Sequence, residues 1–568
     1  MLMRHRRVIP AIALIAACIV LMQLVPAAAL GAEGDTPEGP GIPPEGWSRE
    51  ELLCEYSRLT GAFSAGISGR TVLIAYSDGE YDWLRVVARA FELTANGPKM
   101  LWQKDVSQQQ THNITPAVVS SASGGFHVLW VERPNQDDFS IRYSKLAMDG
   151  TAEIGDTLLE TAGGPIRDIA AVELEDGSLA IAWSDWRGRT LEIIKGRVTF
   201  EGGSARLGGL ANLSRVDAEK AMSNPRIAFE KAAGSLMLAW VESGFEEANI
   251  YAASLDPLTM DVIGFVPLGS FTTASGGYPA VAAGGPGVVY VAWPQDINIK
   301  SLTAIRTSDI MMAKLEDGKL AWSGKIVEIP ENQTAPALAF DGAEPFAAWH
   351  DYSERSPHTW VMRPFADDAA YRLDYSLMAG MRPVALMTDD GLAAVIYERF
   401  TGDGPRQAFL MSQVNPAVKT PLYLMGIDEA APARHVAFTM ALSFLYAGMN
   451  VMVNIGALML GMGFLWLVKK AGIRDGMRNR PELMAAAIIL FLMLLQATPL
   501  FVSLPEIYGS DFHIIASLAA AAGAFLLMRL GRSEWWLDSL MQLVFMCVWL
   551  FFQQYALLIP GILKVGLR

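Results

Sequence analysis

Cysteine is nearly missing from this chain. Three occur in 568 residues, and Cys18 and Cys547 lie in apolar stretches near the two ends, leaving Cys54 alone in the long middle part. No intrachain disulfide can hold that part, and a domain of its size needs none, because its own core suffices. Spacings that announce metal or nucleophile chemistry are missing too. His112, His127, His350 and His358 fall into no HExxH or other paired pattern, and no CxxC, phosphate-binding loop or Ser-His-Asp order occurs. Positive charge is scarce where it would matter. The net charge is −14, residues 1–32 and 435–568 contribute +3 each, and residues 33–434 therefore carry −20. A domain so acidic repels nucleic acid and anionic lipid headgroups, which excludes nucleic acid as a partner.

What is present changes character along the chain. Residues 1–32 have a basic start (Arg4, Arg6, Arg7), an apolar stretch and then small residues around Ala27-Ala28-Ala29. That is the build of a secretory leader. Retention as an uncleaved anchor comes second, and lipidation at Ile15-Ala16-Ala17-Cys18 a distant third. Residues 33–59 read as a linker with a short helix over 49–59, capped by Ser48 with Glu51 and stopped by Gly61. Residues 60–428 form the repeat domain, and residues 429–568 a transmembrane domain of four spans, near 436–468, 483–504, 512–530 and 535–558. The loop 469–481 is strongly basic and the loop 505–511 acidic, which puts the first inside, the second outside, and residues 33–434 outside the cytoplasm. The expected location is a bacterial-type plasma membrane, with the lipid bilayer itself as one partner. The deeper polar residues of the spans, Asn450, Asn454, Gln496 and Gln542, are not ionised, which favours an anchor and assembly surface over a transport pathway.

The middle part repeats. Tyr76, Trp130, Trp183, Trp240, Trp293, Trp349 and Tyr397 recur at spacings of 54, 53, 57, 53, 56 and 48 residues. Each closes an apolar run and is followed by an acid. About 14 residues earlier stands Pro116, Pro225, Pro279, Pro336 or Pro383, and Asp168 takes that place in the third unit. Proline is tolerated at the first residue of a strand, which need not donate to the ladder. Gly-rich turns before the run and turns such as Asp149-Gly150 and Asp317-Gly318 after it divide each unit into four antiparallel strands. The expected fold is an all-β propeller of about seven four-stranded blades, with six or eight left open, plus the C-terminal helical domain. The last unit has its own fourth strand at 418–425, so the ring is expected to close without borrowing an N-terminal strand.

The x-Pro-apolar and apolar-Trp-x-Asp pattern over residues 60–425 resembles that of sialidase-like propellers with bacterial-neuraminidase-type repeats. The resemblance implies a propeller ring with its ligand face at one mouth. The Asp box of that family, Ser-x-Asp-x-Gly-x-x-Trp, is not matched: the nearest string, Ser77 to Trp83, is out of register. The Arg-Ile-Pro signature of its first blade is absent as well.

In such a blade the residue before each proline lies near the mouth: Thr115, Arg167, Asn224, Tyr278, Ala335 and Arg382. The acids after the aromatics, Asp78, Glu132, Asp185, Glu242, Asp296, Asp351 and Glu398, are expected in loops of the same face. There an acid most often binds backbone N–H groups at a turn and is structural. Read more sharply, some line the mouth around a cation, and the oxygen-rich Asn135, Asp137 and Asp138 would suit calcium; no other cofactor is implied. Arg167 and Arg382 could clamp a carboxylate or sulfate. Trp186 and Trp360, in predicted face loops, could stack a sugar. No catalytic residue is assigned. The expectation is a membrane-anchored scaffold binding an envelope glycan, peptide or protein. The alternatives are a sialidase-like glycoside hydrolase built on Tyr278 with Arg167 and Arg382, and an accessory subunit of a transport or signalling complex.

Overall fold

Alternation decides the middle of this chain. In runs such as Leu179–Arg187 or Phe126–Arg133, side chains leave both faces of a strand, and both faces are apolar, so each strand must be covered on two sides. The computed structural model describes residues 43–417 apart from short internal segments, the longest being 297–307, together with Ala437. Pro43–Ala417 forms one compact unit. The four predicted spans, the leader and residues 418–425 lie outside the described residues. Among the described residues no helix is long and apolar enough to cross a membrane.

The unit is an all-β propeller. Strand β1 (Glu51–Tyr56) precedes the repeats. The first repeat holds β2 (Phe63–Ser68), β3 (Thr71–Glu80), β4 (Trp83–Thr94) and β5 (Gly97–Asp105). The second holds β6 (His112–Ser120), β7 (Phe126–Arg133), β8 (Phe139–Leu146) and β9 (Ala152–Ala162). The third holds β10 (Ile166–Glu173), β11 (Leu179–Arg187), β12 (Thr190–Glu201) and β13 (Ser204–Asn212). The fourth holds β14 (Ala221–Glu230), β15 (Ser235–Ser243), β16 (Glu247–Leu255) and β17 (Val262–Thr272). The fifth holds β18 (Ala280–Ala283), β19 (Val288–Asp296), β20 (Ser308–Glu316) and β21 (Lys319–Lys325). The sixth holds β22 (Asn332–Phe340), β23 (Pro345–Ser353), β24 (Ser356–Met362) and β25 (Tyr371–Arg372). The last holds β26 (Met381–Met387), β27 (Ala393–Phe400) and β28 (Arg406–Ser412).

These strands make five separate four-stranded sheets rather than seven. The first two repeats share one eight-stranded sheet, joined by a single parallel bridge between Leu84 and His112. Inner strands of successive repeats touch in the order β2, β6, β10, β14, β18, β22 and β26, and β26 meets β2 again. There is accordingly no single core. Apolar layers lie between neighbouring repeats, for example Ile181 and Trp183 against Leu129 and Tyr143, or Trp349 against Tyr290 and Met312. The seven recurring aromatics are all buried in these layers.

Two expectations fail at the point of closure. The predicted helix over 49–59 is the strand β1, and it pairs antiparallel with β28, with Glu51 opposite Leu410 and Tyr56 opposite Arg406. The last sheet thus takes its outer strand from the N-terminal side, in the order β1-β28-β27-β26. Ser48 does not cap a helix. Its hydroxyl accepts the Ser412 N–H at 2.9 Å and donates to the Arg49 carbonyl. A helix would strand Leu53, Cys54 and Tyr56, which instead fill the layer with Ile74, Tyr76, Ile396 and Leu410. Local capping chemistry, of order 1 kcal/mol, loses to a ladder plus three buried side chains.

Burial pushes the Cys54 thiol up to about 12. With Cys18 and Cys547 replaced by serine, Cys54 should stay unlabelled by Ellman's reagent at pH 8 in the native protein and react fully in denaturant. Rapid labelling of the native chain would mean that β1 is not held in the ring.

Candidate functional site

One backbone device recurs at the start of the inner strands. Thr115, Asp168, Asn224, Ala335 and Arg382 all have left-handed φ, between 48° and 54°. At each the pairing with the second strand shifts register, as between Ile114 and Ala117 or between Met381 and Val384. Each is a bulge that inserts an extra residue and bends the strand. A non-glycine residue held there costs about 1 kcal/mol or more. Where the structure shows the compensation, it comes from the preceding repeat. The Asp168 carboxylate accepts the Asn224 N–H, and Nδ1 of His350 accepts the Arg382 N–H at 3.3 Å. Burial raises the Asp168 pKa, opposed by Arg226 and Arg167.

This device corrects the alignment of the third repeat. Arg167 pairs with Ser184, the residue after Trp183, just as Ile114 pairs with Val131 after Trp130. Asp168, not Arg167, is therefore the counterpart of Thr115 and Arg382. The missing proline misled the spacing by one residue. Arg167 is nonetheless exposed, and so is Tyr278, at 45%.

The repeated acids are in strands, not in loops, and Glu132, Asp185, Glu242, Asp351 and Glu398 are buried. Glu132 accepts from Thr111, Ser140 and Arg142, and Arg142 also reaches Asp156 at 2.8 Å. Glu242 accepts the Trp240 indole N–H at 3.3 Å. Asp351 accepts the His358 backbone N–H and the Trp360 indole N–H, at 2.9 and 2.8 Å. Asp78 lies 3.7 Å from Arg85, and Asp296 ends β19. Trp186 and Trp360 likewise belong to strands, β11 and β24; Trp186 is 42% exposed, whereas Trp360 is half-buried. The oxygen-rich loop closes on itself. Asn135 Oδ1 accepts both the Asp137 and Asp138 N–H groups at 2.9 Å. Among the described residues no three acids, histidines or cysteines are grouped to hold a metal.

Ionisable side chains concentrate at the junction of the last two repeats. Arg382 is 57% exposed and lies 3.8 Å from the buried Glu398 carboxylate, which Arg406 also binds. Nearby, His358 Nδ1 stands 3.5 Å from Asp374 Oδ1, and Arg372 Nε donates to the same oxygen at 3.0 Å. Gly380 donates to the Pro357 carbonyl, and any Cβ there would collide with Asp374 and Thr359, so the chain must be bare at this point. Beneath lies a second pair: Tyr397 donates to Glu50 at 2.5 Å, and Arg399 binds the same carboxylate. The Thr359 hydroxyl, the His358 Nδ1 and the Oδ2 of Asp374 are buried without a hydrogen-bond partner. The arrangement offers an exposed guanidinium 3.8 Å from a buried carboxylate, near an imidazole 3.5 Å from an aspartate. Asp374, Arg372 and Glu50 escaped sequence reasoning. No spacing links Glu50 to Arg399, which ring closure brings together across 349 positions.

His350 tests this junction. Burial, and then Arg382, pushes its imidazole down to about 4. A histidine held neutral in the fold contributes fully above the unfolded value near 6.5. That contribution falls away as pH drops from about 6.5 towards 4, by about 3 kcal/mol in all. His350→Gln keeps an acceptor for the Arg382 N–H without titrating. Denaturant midpoints of the variant should change less between pH 6.5 and 4 than those of the parent; equal slopes would remove His350 from the account.

No family model matches the chain, and no curated protein matches it. Solved structures do resemble it. A polysaccharide lyase is 11% identical, with 68% of this chain and 95% of that chain covered and a TM-score of 0.42. An α-L-arabinofuranosidase of Fusarium graminearum is 11% identical over 52% of this chain and 92% of its own, with a TM-score of 0.37. An α-L-arabinanase of Penicillium chrysogenum is 8% identical over 68% and 100%, with a TM-score of 0.39. At these identities and scores none of them lends this chain a substrate or a reaction.

Proposed function

We propose that the propeller is a sevenfold recognition platform of the cell envelope, with the shared eight-stranded sheet counted as two blades, and that it binds an acidic glycan at the mouth. The observation that carries this reading is Arg382. It is exposed, braced by a buried carboxylate and set by a strained backbone, on a domain whose net charge is otherwise strongly negative. A guanidinium held in that way suits a uronate carboxylate or a sulfate. Arg167 offers a second cation, and Tyr278 and Trp186 offer exposed rings for sugar faces. Asn224 would add polar contacts, and Trp360 gives its N–H to Asp351. The acids are consumed inside the blades, which leaves few carboxylates for a hydrolytic pair. The C-terminal helices would anchor this platform outside the plasma membrane.

A second reading, a carbohydrate-active enzyme, is favoured by one specific observation. His358, 3.5 Å from Asp374 and beside Arg372 and Arg382, sets an imidazole next to a carboxylate clamp.

Full-length protein in nanodiscs of neutral lipid should retain uronate- or sulfate-bearing oligosaccharides over neutral ones. Arg382→Gln should weaken that retention about tenfold, the worth of one charge-assisted contact. Equal retention of neutral glycans would sink the binding reading. Turnover of the same oligosaccharides, followed by new reducing ends or unsaturated products and lost in His358→Ala, would replace it with the enzymatic one.

A further inference from the structure

At the end of the strands away from the mouth, a cavity of about 270 Å³ opens between the third and fourth repeats. By the share of volume a water takes in the liquid, it has room for about nine waters. Its walls come from β12, from the outer strand β13 and from the turn between β16 and β17. Leu258 and Met260 give it an aliphatic side, Thr199 and Thr259 supply hydroxyls, and Arg197 and Arg206 supply charge.

The backbone is shaped around this space. The β12–β13 ladder slips between Lys195 and Arg197, where Gly209 takes a left-handed φ of 65°, and neither Gly208 nor Gly209 has an atom where a Cβ would reach. The opposite wall is pinned. Met260, also left-handed at 64°, is buried, and its carbonyl accepts from the buried Lys195 ammonium. Asp256 Oδ1 holds the turn by accepting the Leu258 and Thr259 N–H groups at 2.8 and 2.9 Å. The walls are thus set before any ligand arrives, which lowers the cost of binding.

Charge selects the occupant. Arg197 is spoken for: it binds the Asp176 carboxylate, and its Nε donates to Ser178 at 2.8 Å. Arg206 also lines the cavity, and no carboxylate is placed against it among the described residues. Among the described residues, then, a guanidinium without a carboxylate partner stands beside Leu258, which is 70% exposed. We propose that this cavity binds a monoanionic amphiphile, a small carboxylate carrying a branched aliphatic group, with the oxyanion on Arg206 and the aliphatic group against Leu258 and Met260. The site is independent of the mouth and of what binds there.

The probe is 4-methylpentanoate, water-soluble and small enough for the space, titrated into the full-length protein in neutral-lipid nanodiscs. Saturation-transfer NMR should give saturable binding, with empty nanodiscs as the blank. 4-Methylpentan-1-ol should bind at least tenfold more weakly. Arg206 and Leu258 are exposed, so both can be replaced without disturbing the fold. Arg206→Gln should cost about tenfold and Leu258→Ser several-fold, each with an unchanged melting temperature. Equal binding of acid and alcohol, unchanged binding by Arg206→Gln, or no saturable binding at all would each overturn the proposal.

Discussion

The ring rests on one antiparallel pairing, that of Glu51–Tyr56 with Arg406–Ser412. Sheets packed face to face in a circle have no outer surface able to remain uncovered. If the last repeat lacked its outer strand, the layer holding Val72 and Ile74 against Ile396 and Leu410 would lose Leu53, Cys54 and Tyr56. Bringing the two ends together closes a loop of some 350 residues. Loop-closure entropy grows only by about 0.6 kcal/mol for each doubling of length, so a long closure is not much dearer than a short one. Burial of Leu53 and Tyr56, at about 1.5–3 kcal/mol each, works against that cost together with the smaller Cys54 and the strand ladder. The polar contacts follow the strand. Ser48 meets Ser412, Trp47 gives its indole N–H to Tyr371, and Glu50 meets Tyr397 and Arg399 only because β1 is where it is.

The same closure explains why the repeated acids are poor guides to chemistry. Each sits two residues or so past a buried aromatic, inside a strand covered on both faces. A carboxylate there must be paired or hydrogen-bonded. Glu132 with Arg142, Asp351 with Trp360 and Glu398 with Arg406 meet that demand within their own repeats. Their regular spacing is a property of the frame. The exposed side chains differ from repeat to repeat, Arg382, Arg167, Tyr278 and Trp186 among them.

Much of this frame was legible in the chain. Aromatic spacing, turn glycines and strand-opening prolines specify short antiparallel strands in a repeating array, because each signal is local and occurs several times. Closure was not legible. Residues 49–59 contain a good capping pattern, and nothing local says that Leu53, Cys54 and Tyr56 will find a partner strand 350 positions away. The site was half legible for the same reason. Arg382 could be placed from its proline, whereas Arg167 was misplaced by one residue where the proline is missing. Asp374 and Glu50 have no neighbours in sequence that reveal what they touch in space. The merging of the first two repeats into one sheet rests on a single bridge, Leu84 to His112, too small a feature to leave a pattern.

The left-handed bulge ties frame to function. Five repeats pay the same backbone strain at the same place, with Thr115, Asp168, Asn224, Ala335 and Arg382 in turn. Aspartate and asparagine tolerate that conformation best among these types; a long arginine has no such advantage. At Arg382 the cost is met from both sides, by His350 on its N–H and by Glu398 on its guanidinium. Local propensity therefore argues against arginine here, and the surroundings supply what propensity does not. A strained residue held in place by its neighbours marks a candidate position. By that criterion the ring, so regular in its aromatics, is uneven at its bulges, and the junction of the last two repeats stands apart.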